Sequence, residues 1–160
     1  MAIKVGDKLP TVNLKHMDKD GMQTVSTDDL FKGKKVVLFA LPGAFTPTCS
    51  AKHLPGFVTH SEAIKGKGVD AIACLSVNDA FVMDAWGKAQ NVGDKVMMLA
   101  DGNAELTKAL GLEMDGTGYG MGIRSKRYSM VVDDGTVKQL NVEKPGAFEV
   151  SNAETMLKQI

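Results

Sequence analysis

Val36-Val37-Leu38-Phe39-Ala40-Leu41 is an unbroken apolar run of six, and it limits the fold of this chain more than any other stretch. A strand with one wet face alternates polar and apolar residues, whereas a run without alternation suits a strand covered on both faces. Val69 to Val77 and Val96 to Leu99 read as two more buried strands, and Thr11 to Lys15 alternates like a strand with one wet face. Helix signals fall between them. Ser26 reads as an N-cap ahead of Asp28 and Asp29, opening a short helix to about Phe31. Thr46 reads as the N-cap and Pro47 as the first residue of a longer helix, which kinks or restarts at Leu54-Pro55 and runs on to Gly66. Asn78 is expected to cap a helix carrying Phe81, Val82 and Trp86, and Ala104 to Leu110 a helix ended by Gly111. Tyr128 to Val132 and Val137 to Val142, joined at Asp133-Asp134-Gly135, form a hairpin. Ser151 with Glu154 three residues on is a capping box for a last helix, with Met156 and Leu157 on its apolar side. The expectation is an α/β fold, a mixed central sheet with helices on both faces, forming one domain over residues 1–160.

Charge narrows the function. Nineteen Lys and Arg balance nineteen Asp and Glu, so no basic excess points to nucleic acid or to a membrane surface. The start lacks the apolar stretch of a signal peptide, and the longest uncharged run is broken by Pro42 and Pro47. A cytoplasmic location is expected. Two cysteines in 160 residues do not make a disulfide scaffold, which directs attention to redox or catalytic roles.

The chemistry concentrates at Pro42-Gly43-Ala44-Phe45-Thr46-Pro47-Thr48-Cys49. With Thr46 as N-cap, Cys49 falls in the first helical turn, near unpaired N–H groups and the positive end of the helix dipole. Such placements lower a cysteine pKa from about 8.5 to roughly 3.5–7.5. The turn also follows directly from a buried strand, at the carboxyl edge where α/β sheets place their sites. On position alone, two readings stand: a reactive thiolate, or a small buried thiol behind an ordinary Thr-Pro helix start.

The spacing Pro42-x3-Thr46-x2-Cys49 resembles the peroxidatic loop of the peroxiredoxins. With His53-Leu54-Pro55-Gly56-Phe57, Ser76-Val77-Asn78-Asp79 and Arg124 through Val132, the chain resembles the peroxiredoxin-five subfamily, the group of plant type II enzymes and their bacterial relatives. The resemblance covers nearly the whole chain. It implies a thioredoxin-like fold and a thiol-dependent reduction of hydrogen peroxide and alkyl hydroperoxides without metal, flavin or other cofactor. Carried onto this sequence, Cys49 is the nucleophile that becomes a sulfenic acid, and Thr46 and the Cys49 N–H hold the peroxide oxygens. Arg127 stabilises the thiolate and the leaving oxygen, and Pro42 covers the sulfur. Arg124 matches a family position with a less defined role, and without the resemblance Arg127 reads as a strand-edge surface cation. Glutathione with glutaredoxin, or thioredoxin, is the implied reductant, acting in trans because the chain ends at Ile160, and a homodimer is implied as well.

The remaining signals are weaker. His53 lies four residues beyond Cys49 on the same helix side, which suits support behind the site or simple packing better than a hydrolase-type Cys–His pair. His16, His53 and His60 show no metal-ligand spacing, and the glycines at 116, 118, 120 and 122 read as a flexible loop beside the site. Ten methionines read as core filler. Cys74, inside the second buried strand, is either a resolving cysteine or an inert core thiol. The same reactive Cys49 also fits another class, a redox sensor that passes its oxidation to a partner protein without turnover.

Overall fold

In the computed structural model, residues 2–160 are described. Nine strands are placed: β1 (Asn13–Asp18), β2 (Gly21–Ser26), β3 (Lys35–Ala40), β4 (Ala71–Ser76), β5 (Met97–Ala100), β6 (Glu113–Asp115), β7 (Ile123–Ser125), β8 (Tyr128–Asp133) and β9 (Thr136–Val142). The helices are α1 (Thr27–Phe31), α2 (Leu54–Thr59), α3 (Ser61–Lys65), α4 (Ala80–Ala89), α5 (Glu105–Ala109) and α6 (Ala153–Gln159), with a π-helical turn at Cys49–His53.

Seven strands form one sheet in the order β2-β1-β5-β4-β3-β8-β9, and β6 and β7 pair separately. The apolar run supplies β3 at the inside of that sheet, parallel to β4 and antiparallel to β8. Its side chains divide between two cores, as the two-residue period of a strand demands. Val37, Phe39 and Leu41 pack with Leu54 and Phe57 of α2, Ile64 of α3, Met83 and Trp86 of α4 and Met156 of α6. Val36, Leu38 and Ala40 pack on the other side with Leu30 and Phe31 of α1 and Leu106 of α5. Helices therefore cover both faces, as expected. The β8–β9 hairpin turns through Asp134 and Gly135, whose φ values of 49° and 82° match the two-residue loop that suits twisted strands.

Three caps differ from expectation. Asp79, not Asn78, caps α4 by accepting from Val82 N–H, because the Asn78 amide oxygen accepts instead from Ser76 Oγ (2.6 Å) and the Ala44 N–H (3.0 Å). Asn152, not Ser151, caps α6 by accepting from Thr155 N–H, because Ser151 Oγ donates to Glu143. Thr46 does precede the helical Pro47, but its hydroxyl donates back to the Gly43 carbonyl (2.7 Å) rather than serving the turn ahead. In each case a cap-forming side chain next to the boundary is taken by a tertiary or loop contact.

The expected break at Leu54-Pro55 takes a specific form. Proline has no N–H and its ring crowds the carbonyl four residues back. The turn before it widens, and Leu54 N–H donates to the Cys49 carbonyl, five residues earlier. A second break at His60 separates α2 from α3. The chain also contains β2, β6 and β7, which no strong pattern announced.

Candidate active site

Cys49 is the first residue of the widened turn and is fully buried, at 0 % exposure. The loop leading into it leaves the carboxyl end of β3 and is latched at both sides. On one side the Ala44 N–H donates to Asn78 beyond β4. On the other, Arg124 on β7 donates through Nη1 to the Pro42 carbonyl (3.2 Å) and through Nε to the Met121 carbonyl (3.0 Å). Gly43 must stay small here, since a Cβ on it would lie 2.7 Å from Arg124 Nη1 and 3.2 Å from Thr46 Cγ2. Phe45 adopts a left-handed φ of 59° and is 57 % exposed, a strained conformation of the sort found at functional loops.

Arg127, the residue before β8, reaches Cys49 across the sheet edge. Its Nη2 donates to Cys49 Sγ at 3.2 Å. The other arm of the same guanidinium, Nη1, donates to His53 Nδ1 at 2.9 Å. Because that nitrogen accepts, the ring proton sits on Nε2, which donates to the Ser151 carbonyl at 3.0 Å. His53 is fully buried among the rings of Phe39, Phe57 and Phe148. Burial and then the Arg127 charge lower its pKa from 6.5 to about 3, so the imidazole is neutral and remains an acceptor for the guanidinium. The face of Phe148 also lies 5.6 Å from the Arg127 guanidinium carbon, a cation–π contact.

Of the residues singled out from sequence, Cys49, Arg127 and His53 are joined directly, while Thr46, Pro42 and Arg124 shape the loop before Cys49. Arg124 reaches the loop backbone and Arg127 reaches the sulfur. The glycine-rich stretch does lie beside the site, because Met121 and Arg124 both border Gly43. Cys74 sits in mid-β4, paired in register with Phe39 and fully buried on the same sheet face as Cys49. Burial, followed by the proximity of Cys49, pushes its thiol pKa well up, and both cysteines are free. Glu143, which no local pattern marked, and Ser151, which its pattern marked only as a helix cap, tie down the chain behind His53. Among the described residues, no three His, Cys, Asp or Glu side chains converge as a metal would require, and no helix is long and apolar enough to cross a membrane.

Comparisons with known proteins identify the family. The family model described as Redoxin matches residues 4–157. The chain is 56% identical over 163 residues to peroxiredoxin-2E-2, chloroplastic, of Oryza sativa subsp. japonica, covering 99% of this chain and 72% of that protein. It is 50% identical over 159 residues to peroxiredoxin-2B of Arabidopsis thaliana, covering 99% and 98% of the two chains. Among solved structures, reduced Prx3 of Vibrio vulnificus in complex with hydrogen peroxide superposes with a TM-score of 0.95 at 58% identity, covering 98% of each chain. The thioredoxin-like expectation for the fold holds. Matched from Lys4 to Leu157 by one family and about half identical along its length to plant and bacterial members, the chain belongs to the redoxin family and is a peroxiredoxin.

Proposed function

We propose that this thiol peroxidase works through Cys49, with Arg127, Thr46 and Pro42 completing the site and His53 and Arg124 holding it in shape. The observation that carries the reading is the guanidinium fixed 3.2 Å from Cys49 Sγ by a neutral histidine on its other arm. A cation so placed matches a thiolate better than a thiol, and costs no reorganisation as charge moves to the leaving oxygen.

In the proposed step, Cys49 Sγ attacks one peroxide oxygen and the O–O bond breaks. Sulfur gives up two electrons and becomes a sulfenic acid, while the departing oxygen takes a proton and leaves as water or an alcohol. Thr46 supplies orientation. Its hydroxyl proton is committed to the Gly43 carbonyl, which turns its oxygen lone pairs outward as acceptors for a peroxide O–H. Pro42 would shield the sulfur from bulk water. Full burial of Cys49 favours a slim oxidant such as hydrogen peroxide or a small alkyl hydroperoxide over bulky electrophiles.

Recycling would proceed in trans. A thiol condenses with the sulfenic acid, releasing water and forming a mixed disulfide, which a second thiol then reduces. Glutathione with glutaredoxin, or thioredoxin, fits this scheme, with Cys74 left as a core thiol. Two free cysteines suit a reducing compartment such as the cytoplasm. Exposed Phe45, Phe81 and Tyr119 support association into a homodimer, which sedimentation would measure. Peroxide consumption under steady state, with each reductant in turn, tests the reading. Continued turnover with at least one reductant is expected. Consumption of one equivalent and then arrest with every reductant would instead make the protein a redox sensor.

A further inference from the structure

The guanidinium at Cys49 is only as well placed as the histidine that holds it, and that histidine is held by the segment between β9 and α6. Glu143 lies just past β9 and is 6 % exposed. Its carboxylate accepts from the backbone N–H groups of Glu149 (2.9 Å), Val150 (2.8 Å) and Ser151 (2.8 Å), and from Ser151 Oγ (2.7 Å). One side chain thereby closes the loop from 143 to 151 on itself. Two parts of that loop touch His53: the Ser151 carbonyl accepts from Nε2, and the Phe148 ring meets the imidazole edge-on with centroids 5.0 Å apart. The backbone of Glu143 also donates to the carbonyl of Arg127 at 2.9 Å. Glu143 therefore grips the support of His53 with its side chain and Arg127 itself with its main chain.

We propose that Glu143 is a positioning residue for the peroxidase reaction, setting the His53 tautomer through Ser151 and thereby aiming the Arg127 guanidinium at Cys49. The chain of contacts runs Glu143 carboxylate, Ser151 backbone, His53 Nε2–H, His53 Nδ1, Arg127 Nη1, Arg127 Nη2, Cys49 Sγ. If the Ser151 carbonyl drifts, the Nε2 proton loses its acceptor and only the Arg127 donor still selects that tautomer. A proton on Nδ1 faces the Arg127 donor, and the guanidinium must turn away. Burial acts upward on the Glu143 pKa, but the bonds from Glu149, Ser151 and Val150 outweigh it and keep the carboxyl below its ordinary range, so the grip is ionic at neutral pH. Outer contacts that orient a metal-bound histidine are commonly worth 10–100-fold in function, and the same scale is expected for a histidine that orients a guanidinium.

This inference rests on the role given to Arg127, and the test separates the two. The variant is Glu143→Gln, whose amide replaces one acceptor oxygen with a donor. Three readouts apply: the second-order rate with hydrogen peroxide, the rate of Cys49 alkylation at pH 6, and the His53 ring nitrogens by 15N NMR. Expected are a single Nε2–H tautomer in the parent, a mixed tautomer in the variant, and roughly 10–100-fold losses in both rates. Placed in an Arg127→Ala background, Glu143→Gln should change either rate less than about twofold, because positioning acts only through a guanidinium that is no longer there. Equal losses in both backgrounds, or unchanged tautomer and alkylation, would overturn the proposal. If Glu143→Gln does not fold, Ser151→Ala removes the hydroxyl bond alone and is read by the same three measurements. A parent that holds the tautomer and alkylation coupling yet does not reduce peroxide would sink the peroxidase mechanism and leave the positioning intact.

Discussion

Replacing Arg127 with alanine removes two hydrogen bonds with different consequences. Losing Nη2 strips Cys49 Sγ of its cationic donor at 3.2 Å. One preorganised donor at a developing charge is worth about 2.7–4 kcal/mol, or 10²–10³ in rate. Losing Nη1 leaves His53 Nδ1 buried without a donor, which costs about 1–3 kcal/mol of stability. For a chain of this size each kcal/mol moves Tm by roughly 2–4 °C, so Tm should fall by about 2–12 °C with the protein still folded at 25 °C. The chain carries its own probe. Its one tryptophan, Trp86, donates through Nε1 to Oγ of Ser50, the residue after Cys49, at 3.0 Å. Stopped-flow fluorescence after mixing reduced protein with hydrogen peroxide therefore follows oxidation at the neighbouring sulfur. The slope of rate against peroxide concentration should drop 10²–10³-fold in Arg127→Ala. In Arg127→Lys the loss should be smaller but still large, since an ammonium cannot serve Sγ and Nδ1 together as a planar fork does. An alanine variant within about threefold of the parent rate would refute the assignment and move the role to Arg124.

Cys74→Ser should keep at least half of the glutaredoxin-supported activity, and mass spectrometry after one equivalent of peroxide should show glutathione on Cys49 before any Cys49–Cys74 bond. A quantitative intramolecular bond formed first would make the enzyme a two-cysteine type. Acid should weaken the fold through His53. Its folded pKa of about 3 lies below the ordinary 6.5, so in that window the unfolded chain binds the extra proton and stability falls as pH is lowered. The loss should reach about 2 kcal/mol by pH 5 and vanish above pH 7. A His53→Asn variant should lose that slope between pH 7 and 5 in thermal melts, and an equal slope in both proteins would contradict the neutral buried state. Gly43→Ala should push Arg124 aside and crowd Thr46, slowing peroxide reduction by roughly three- to tenfold, in scale with about 100-fold for a 1 Å misplacement. Because the nearest atom is the end of a flexible side chain, Tm should fall by only a few degrees; an unchanged rate would argue against a role for the Thr46 side chain.

The sheet was largely legible in the sequence because its buried strands carry their burial as composition. Val36 to Leu41 and the run around Cys74 need no neighbours to be recognised, and Asp134-Gly135 declares its own turn. The strand β2 was not announced, since Gly21–Ser26 lies at the sheet edge with exposed positions and only a faint alternation. Caps were legible to within one residue. Asn78 and Ser151 are both good caps by type, yet each is taken by a contact outside its helix, Ala44 34 residues away for one and Glu143 in the preceding loop for the other. At the site, Thr46 and Cys49 stand out by spacing, but Arg127 looks like a surface cation until the resemblance singles it out. The link between His53 and Arg127 spans 74 residues and belongs to no local pattern. Glu143 has no sequence signal at all, because its meaning lies in which N–H groups the folded loop turns toward it.

Everything turns on which sulfur meets the peroxide, and trapping it gives the most direct measurement. Reduced protein is mixed with one equivalent of hydrogen peroxide in the presence of a sulfenic-acid-specific dione, digested, and the labelled peptides are read by mass spectrometry. The account predicts label on Cys49, none on Cys74, and no label or peroxide loss in Cys49→Ser, which keeps its fold. Label on Cys74, or peroxide consumption in Cys49→Ser above a few per cent of the parent rate, would contradict it.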